Sequence, residues 1–193
     1  MEKFYLELPT QKRKQEAIDY IIEHIKAKSN INGSGGLDKG YTDYEGWFKK
    51  IKLEEDPDTC PLDRSPAYTY FLIRENDNKI IGMTNLRYIL TEFLLEYAGN
   101  IGYGIRPTER GKGYSKILLY SVLQKCKELN LEKVLLSADE SNPASWKTIE
   151  ALGGVFEKKV PNKYEEGEIL CKYWINVDES LEKYKEEYNK YIL

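Results

Sequence analysis

Cysteine is scarce in this chain: three among 193 residues, at Cys60, Cys126 and Cys171. An odd, widely spaced set supports neither a disulfide framework nor a zinc site, so no metal is expected. No apolar run approaches the roughly 18 residues of a membrane span. Met1 to Thr10 lacks the apolar stretch behind a basic start that marks a signal peptide. Basic charge is not in excess either: the formal net charge is -3. That argues against a nucleic-acid partner, which normally meets a basic footprint, but leaves room for a local basic pocket facing a phosphorylated small molecule. Internal repeats and low-complexity tracts are absent. A cytoplasmic protein, with neither membrane nor nucleic acid as partner, is the expectation.

What is present suits one packed domain. The apolar fraction is 41% and the charged fraction 32%, enough for a core beneath a solvated surface. Lys3 to Leu8 reads as a strand. Thr10 is placed to cap a helix running to about Lys28, with Ala17, Ile18, Ile21, Ile22 and Ile25 on its buried face. Asn30 to Gly40 and Asp56 to Ser65 read as loops, and Tyr44 to Leu53 as a helix between them. Tyr68 to Arg74 and Lys79 to Arg87 flank Glu75-Asn-Asp-Asn78, a hairpin signal. Ile89 to Tyr97 follows as a short helix or turn. Next come a strand over Asn100–Arg106, a helix over Gly113–Leu129, and a buried strand over Glu132–Ala138. A helix over Pro143–Leu152 stops at Gly153-Gly154, and Val155–Val160 with Glu168–Val177 close as a hairpin. Ser180 to Leu193 reads as one amphipathic helix, with Leu181, Tyr184, Tyr188 and Tyr191 on a stripe. The organisation is a main domain over 1–177 and a C-terminal helix over 178–193, packed on that domain or covering a dimer interface. The alternation predicts an α/β protein with a mixed sheet flanked by helices.

The chemistry concentrates in Asn100-Ile-Gly-Tyr-Gly-Ile-Arg-Pro-Thr-Glu-Arg-Gly-Lys-Gly-Tyr-Ser115. A strand ends near Arg106, where Pro107 has no amide hydrogen for the ladder. A loop holding Gly111 and Gly113 then feeds a long helix. The first turn of a helix offers free N–H groups and the positive end of its dipole. Glycine lets that backbone approach a ligand, while Arg110, Lys112 and Lys116 add positive charge. These features together describe a diphosphate cradle. Spacing excludes a P-loop, since no glycine stands at position 106 ahead of Gly111-Lys112, which Gly113 follows. It also excludes a dinucleotide fingerprint, whose third glycine would fall on Pro107 or Lys116.

Arg110-Gly-Lys-Gly113-Tyr-Ser115 resembles the Arg/Gln-x-x-Gly-x-Gly/Ala motif of the GNAT acetyltransferases. Asn142-Pro-Ala-Ser145, opening a helix that ends in Leu152-Gly-Gly154, resembles that family's Asn-x-x-Ala helix. Thr84-Asn-Leu-Arg-Tyr88 with Asn100-Ile-Gly-Tyr-Gly-Ile-Arg-Pro resembles an uncharacterised predicted-acetyltransferase branch, which supplies no substrate.

The resemblance implies a GNAT-like, mostly antiparallel sheet with splayed central parallel strands, and acetyl-CoA as the acyl donor. Arg110, Gly111, Lys112, Gly113, Tyr114 and Ser115 would bind the coenzyme A diphosphate. The backbone of Tyr103, Gly104 and Ile105 would pair with the pantetheine arm. Asn142 would bond that arm, with Ser145 nearby; an N-cap ahead of Pro143 explains Asn142 equally well. The acceptor would be an amine of a small molecule or peptide that attacks the thioester directly. A non-catalytic acyl-CoA-binding or interaction module is the alternative. The chain would be a monomer or homodimer.

Three positions depart from the family pattern. Ser115 replaces Gly or Ala. Ile149 stands where many members carry a tyrosine that protonates the leaving thiolate, leaving Tyr103, Tyr114 or solvent for that task. The position some members use for a base falls at Gly99 or Asn100. Asn100 is a candidate to orient a water, and Glu140, with Glu96 and Asp139, is a carboxylate near the expected cleft. His24, the one histidine, lies on the first helix, outside the reach that general-base work requires. Arg87, Tyr88 and Tyr97 are candidates for the acceptor site, with Arg87 suited to a carboxylate.

Overall fold

The computed structural model describes residues 1–163 and 165–193. Its backbone forms two antiparallel sheets. The first has the order β1-β2-β3-β4, from Phe4–Glu7, Ala67–Arg74, Lys79–Arg87 and Ile101–Ile105; the second has the order β5-β7-β6, from Lys133–Asp139, Ile169–Asn176 and Val155–Pro161. In the β2–β3 hairpin the turn closes through Asn78 at φ +54, a left-handed conformation that asparagine tolerates. Strand alternation splits the first sheet's side chains between two cores. Phe71, Ile73 and Met83 pack with Tyr20 and Ile21 of α1 (Lys14–Lys26) and Trp47 of α3 (Tyr44–Glu54). Leu72, Ile81 and Leu86 belong to the larger core around α4 (Tyr114–Glu128), which continues into Val134, Leu136 and Tyr173 of the second sheet.

The sheets meet at one bridge, between Gly99 and Leu136. Every strand pairing within them is antiparallel, and β4 shares no ladder with β5. Gly99 is required at the junction: its φ is +74, and a Cβ there would sit 2.2 Å from the Leu135 carbonyl oxygen. Beyond this point residues of β4 and β5 face each other across a cavity.

Several elements differ from expectation. Thr10 makes no side-chain cap; a 3-10 turn over Gln11–Arg13 leads into α1 instead. The expected Asn30–Gly40 loop contains a short helix, α2 (Leu37–Gly40), and Leu94–Ala98 forms a π-helical turn. The terminal segment is not one helix. It breaks into α6 (Val177–Lys183), α7 (Lys185–Tyr188) and a 3-10 turn over Asn189–Tyr191. The breaks let Tyr188 bury itself against Tyr120 and bring Ile192 into a bridge with Phe4. The remaining helix, α5 (Pro143–Ala151), is capped as its sequence predicts, with Asn142 Oδ1 accepting from the Ser145 N–H.

Candidate active site

The β4–loop–α4 unit carries the expected cradle residues. Gly113 precedes α4 at φ +82, and no side chain caps the helix. The first-turn N–H groups therefore keep the capacity that an anion uses. Gly111 and Gly113 need their left-handed conformations, yet a Cβ on either would meet no protein atom within 4 Å. The space in front of the turn is open. It belongs to a cavity of about 480 Å³ that runs from Gly111 and Gly113 along Tyr103–Ile105 to Asn142 and Ser145.

The edge of β4 borders the same cavity through Tyr103, Gly104 and Ile105. Arg106 N donates to Ile81 and Arg87 N donates to Asn100 across the β3 ladder. Alternation along an antiparallel pair then turns the backbone groups of Gly102 and Gly104 toward β3 and those of Tyr103 and Ile105 outward. Of the expected Tyr103–Ile105 backbone set, Tyr103 and Ile105 thus present free-edge groups, while Gly104 contributes proximity. Arg110 Nε already holds the Ile105 carbonyl at 3.1 Å, and its Nη2 reaches Ser29 Oγ at 2.7 Å.

Two expected cradle side chains point elsewhere. Lys112 Nζ turns to Glu109 Oε2 at 2.8 Å, drawn by a buried carboxylate that Arg74 and Lys79 also bind. Burial pushes the Glu109 carboxyl up, but Lys112, Lys79 and Arg74 outweigh it and hold it at about 2. Tyr114 buries its ring on Phe4 and donates its hydroxyl to Glu2 at 2.6 Å, so it is removed from any thiolate. Ser115 Oγ bonds Thr148 at 3.0 Å, tying α4 to α5 where smaller residues would leave a gap. Lys28, Ser29 and Asn32 also line the cavity. They escaped the sequence reading because nothing local marks them; the end of α1 carries them there.

Asn100 acts as a pin. Its Nδ2 donates to the Arg87 carbonyl at 2.8 Å, its Oδ1 accepts from Leu135 N at 2.8 Å, and its own N–H reaches the Leu135 carbonyl at 2.7 Å. The side-chain Nδ2 replaces the backbone N–H in the β3 ladder, while that N–H crosses to β5. Buried in this way, Asn100 holds the sheets together where they part and lines none of the cavities described here. Ile149 lies in the core, as its side chain requires.

Tyr103 lines both the 480 Å³ cavity and the 290 Å³ cavity between the sheets. Its hydroxyl donates to the Ser145 carbonyl at 3.2 Å and lies 3.3 Å from Ser145 Oγ. Burial raises its phenol above the ordinary value, against the opposing pull of Ser145. Of the three carboxylates expected near the cleft, Asp139 lines the inter-sheet cavity. Glu140 pairs instead with Lys159 on the surface, and Glu96 lines neither cavity. Arg87 and Tyr97 line the inter-sheet cavity. Tyr88 does not: it stacks on Tyr68 and donates to the Glu55 carbonyl at 2.9 Å. His24 is fully buried against Tyr20. Among the described residues no group of side chains is suited to a metal ion, and no helix is long and apolar enough to cross a membrane.

The model of the acetyltransferase (GNAT) family matches residues 37–153, more than half of the chain. The chain belongs to the GNAT family. No curated protein sequence matches it, but solved structures do. One is the dodecameric spermidine N-acetyltransferase of Vibrio cholerae, at 17% identity and TM-score 0.67, covering 94% of this chain and 98% of that one. Another is the ribosomal-protein-S5-alanine acetyltransferase of Vibrio fischeri, at 18% identity and TM-score 0.64, covering 92% and 95%. At such identities the likeness is one of fold. In this GNAT chain the two sheets part after Gly99, residues 110–115 form the turn expected to be the cradle, and Ile149 stands at the expected tyrosine position.

Proposed function

We propose that the chain moves an acetyl group from acetyl-CoA to an amine of a small molecule or peptide by direct attack. The observation that carries this reading is the uncapped start of α4, which opens with the free edge of β4 onto one continuous cavity. The fit to coenzyme A is specific in kind: amide donors and Arg110 suit the diphosphate, and the outward groups of Tyr103 and Ile105 suit an extended amide-bearing arm, as in strand addition. Acetyl-CoA supplies a thioester carbon open to an amine. On this reading the arm would end at Asn142 and Ser145, which line the cavity with Tyr103. The Tyr103 N–H faces outward there and is placed to donate to an oxygen that gains negative charge. The Tyr103 phenol, kept protonated by burial, takes the role of proton donor to the leaving thiolate that Ile149 cannot fill.

Gly113→Glu tests the cradle. A Cβ at this position meets no protein atom within 4 Å, so the fold is expected to survive a left-handed penalty of about 1–2 kcal/mol. Negative charge now sits against the diphosphate, and coenzyme A binding by calorimetry is expected to disappear while circular dichroism stays native. An unchanged affinity would refute the assignment.

A further inference from the structure

The inter-sheet cavity is charged asymmetrically. On the first-sheet side stands Arg87, near the end of β3. Its Nη1 donates to the Gly99 carbonyl at 3.2 Å, and an ideal Cβ on Gly102 would lie 3.5 Å from its Nη2. A guanidinium has five N–H donors, and one bond accounts for one of them. Among the described residues no carboxylate lies within ion-pair distance of Arg87, in contrast to Arg13, Arg74 and Arg106. Burial disfavours its charge, and Glu54, which lines a further cavity together with Arg87, acts on it only from beyond ion-pair distance. Placing an arginine in such a position is costly unless something pairs with it. Ser137 Oγ, on the opposite wall, is likewise buried without a partner among the described residues and lines the same cavity. That wall carries the opposite sign, from Asp139 at the end of β5 and from Glu165 and Glu168.

We infer that the acceptor is an amine that also bears a carboxylate, an amino acid or a peptide end, with the carboxylate on Arg87 and the ammonium drawn toward Asp139. The inference rests on the acetyltransferase reading and narrows it. A planar guanidinium recognises a carboxylate in a bidentate pair, and an unoccupied partner position beside the thioester end of the coenzyme cavity is where acceptor recognition is needed. The acidic wall draws the protonated amine near Tyr103, Asn142 and Ser145, which border both cavities; there it gives up a proton to water, and the free amine attacks the thioester. A polyamine has nothing to offer Arg87, and its second cation would meet like charge there.

Matched pairs of amines isolate the carboxylate. Free lysine and cadaverine differ by that group alone, as do ornithine and putrescine, and tyrosine and tyramine. With the full chain and acetyl-CoA, thiol release is expected to favour the carboxylated members in kcat/KM by roughly tenfold to a hundredfold, the range for a charge-assisted bond. Arg87→Met is expected to close that gap while coenzyme A affinity by calorimetry is retained. Arg87→Lys, which keeps the charge but loses the fork, should retain part of the gap and serves if the Met variant does not fold. Decarboxylated amines that perform equally well in the unmodified chain, or variants that slow both members of a pair alike, would overturn the inference and leave acetyl transfer intact. Thermal shifts by the same pairs give a readout that needs no turnover. Loss of coenzyme A binding in the unmodified chain would sink the transferase reading separately, and preferential stabilisation by the carboxylated members would still support the Arg87 site.

Discussion

Asn100, just ahead of β4, and Tyr103, within it, sit three residues apart, and their environments give them opposite tasks. The Asn100 amide is spent on Arg87 and Leu135; it determines where the sheets part and has no accessible face for substrate. The Tyr103 hydroxyl is held by Ser145 at 3.2–3.3 Å, with Thr148 close by, at the border of the cavities. If the phenol donates the proton, Tyr103→Phe lowers kcat by roughly 10²-fold and leaves the coenzyme A dissociation constant within about threefold, since the arm contacts the backbone. Steady-state kinetics beside calorimetry separates the two effects. An undiminished kcat would hand the proton to solvent.

Among elements, the C-terminal segment departs most from its sequence pattern. Its apolar stripe suits a single helix, but its contacts are distributed over three short pieces. Ser180 Oγ donates to the Leu152 carbonyl at 2.7 Å, the Leu181 carbonyl accepts from Tyr120 at 3.1 Å, and Leu193 N donates to Phe4 at 3.0 Å. Tyr188 is buried within the larger core. The stripe is thus covered by the chain's own α4 and β1. Tyr188→Ala is expected to cost roughly 3–5 kcal/mol, as for other large aromatic truncations, measured as a lower urea midpoint with an unchanged m-value. A loss below about 1 kcal/mol would show that the tail is merely resting on the core.

For the molecule as a whole, the junction of α1 with the first sheet sets an acid limit. Burial first, then the nearby charge of Arg110, depresses the His24 imidazole to about 4, and neither ring nitrogen has a partner among the described residues. The unfolded chain takes up this proton near the ordinary value of about 6.5, before the folded chain does. Stability linked to His24 is therefore complete above about 6.5 and is lost as pH falls toward 4, by on the order of 1–2 kcal/mol at pH 5. Calorimetric melting at pH 7 and pH 5 should show a smaller drop for His24→Phe than for the unmodified chain; equal drops would contradict this account. The same tertiary contacts separate what was legible in the sequence from what was not. The turn into α4 was legible because Pro107, Gly111, Gly113 and the helix after them act through short-range backbone rules on contiguous residues. Asn142 was legible as a cap for the same reason. The contribution of Ser29, 81 residues from Arg110, the spent amide of Asn100, the diversion of Lys112 and Tyr114, and the lack of an ion partner at Arg87 were not. Each depends on which groups from distant elements the packed chain brings together or keeps apart, and sequence order alone carries no record of that.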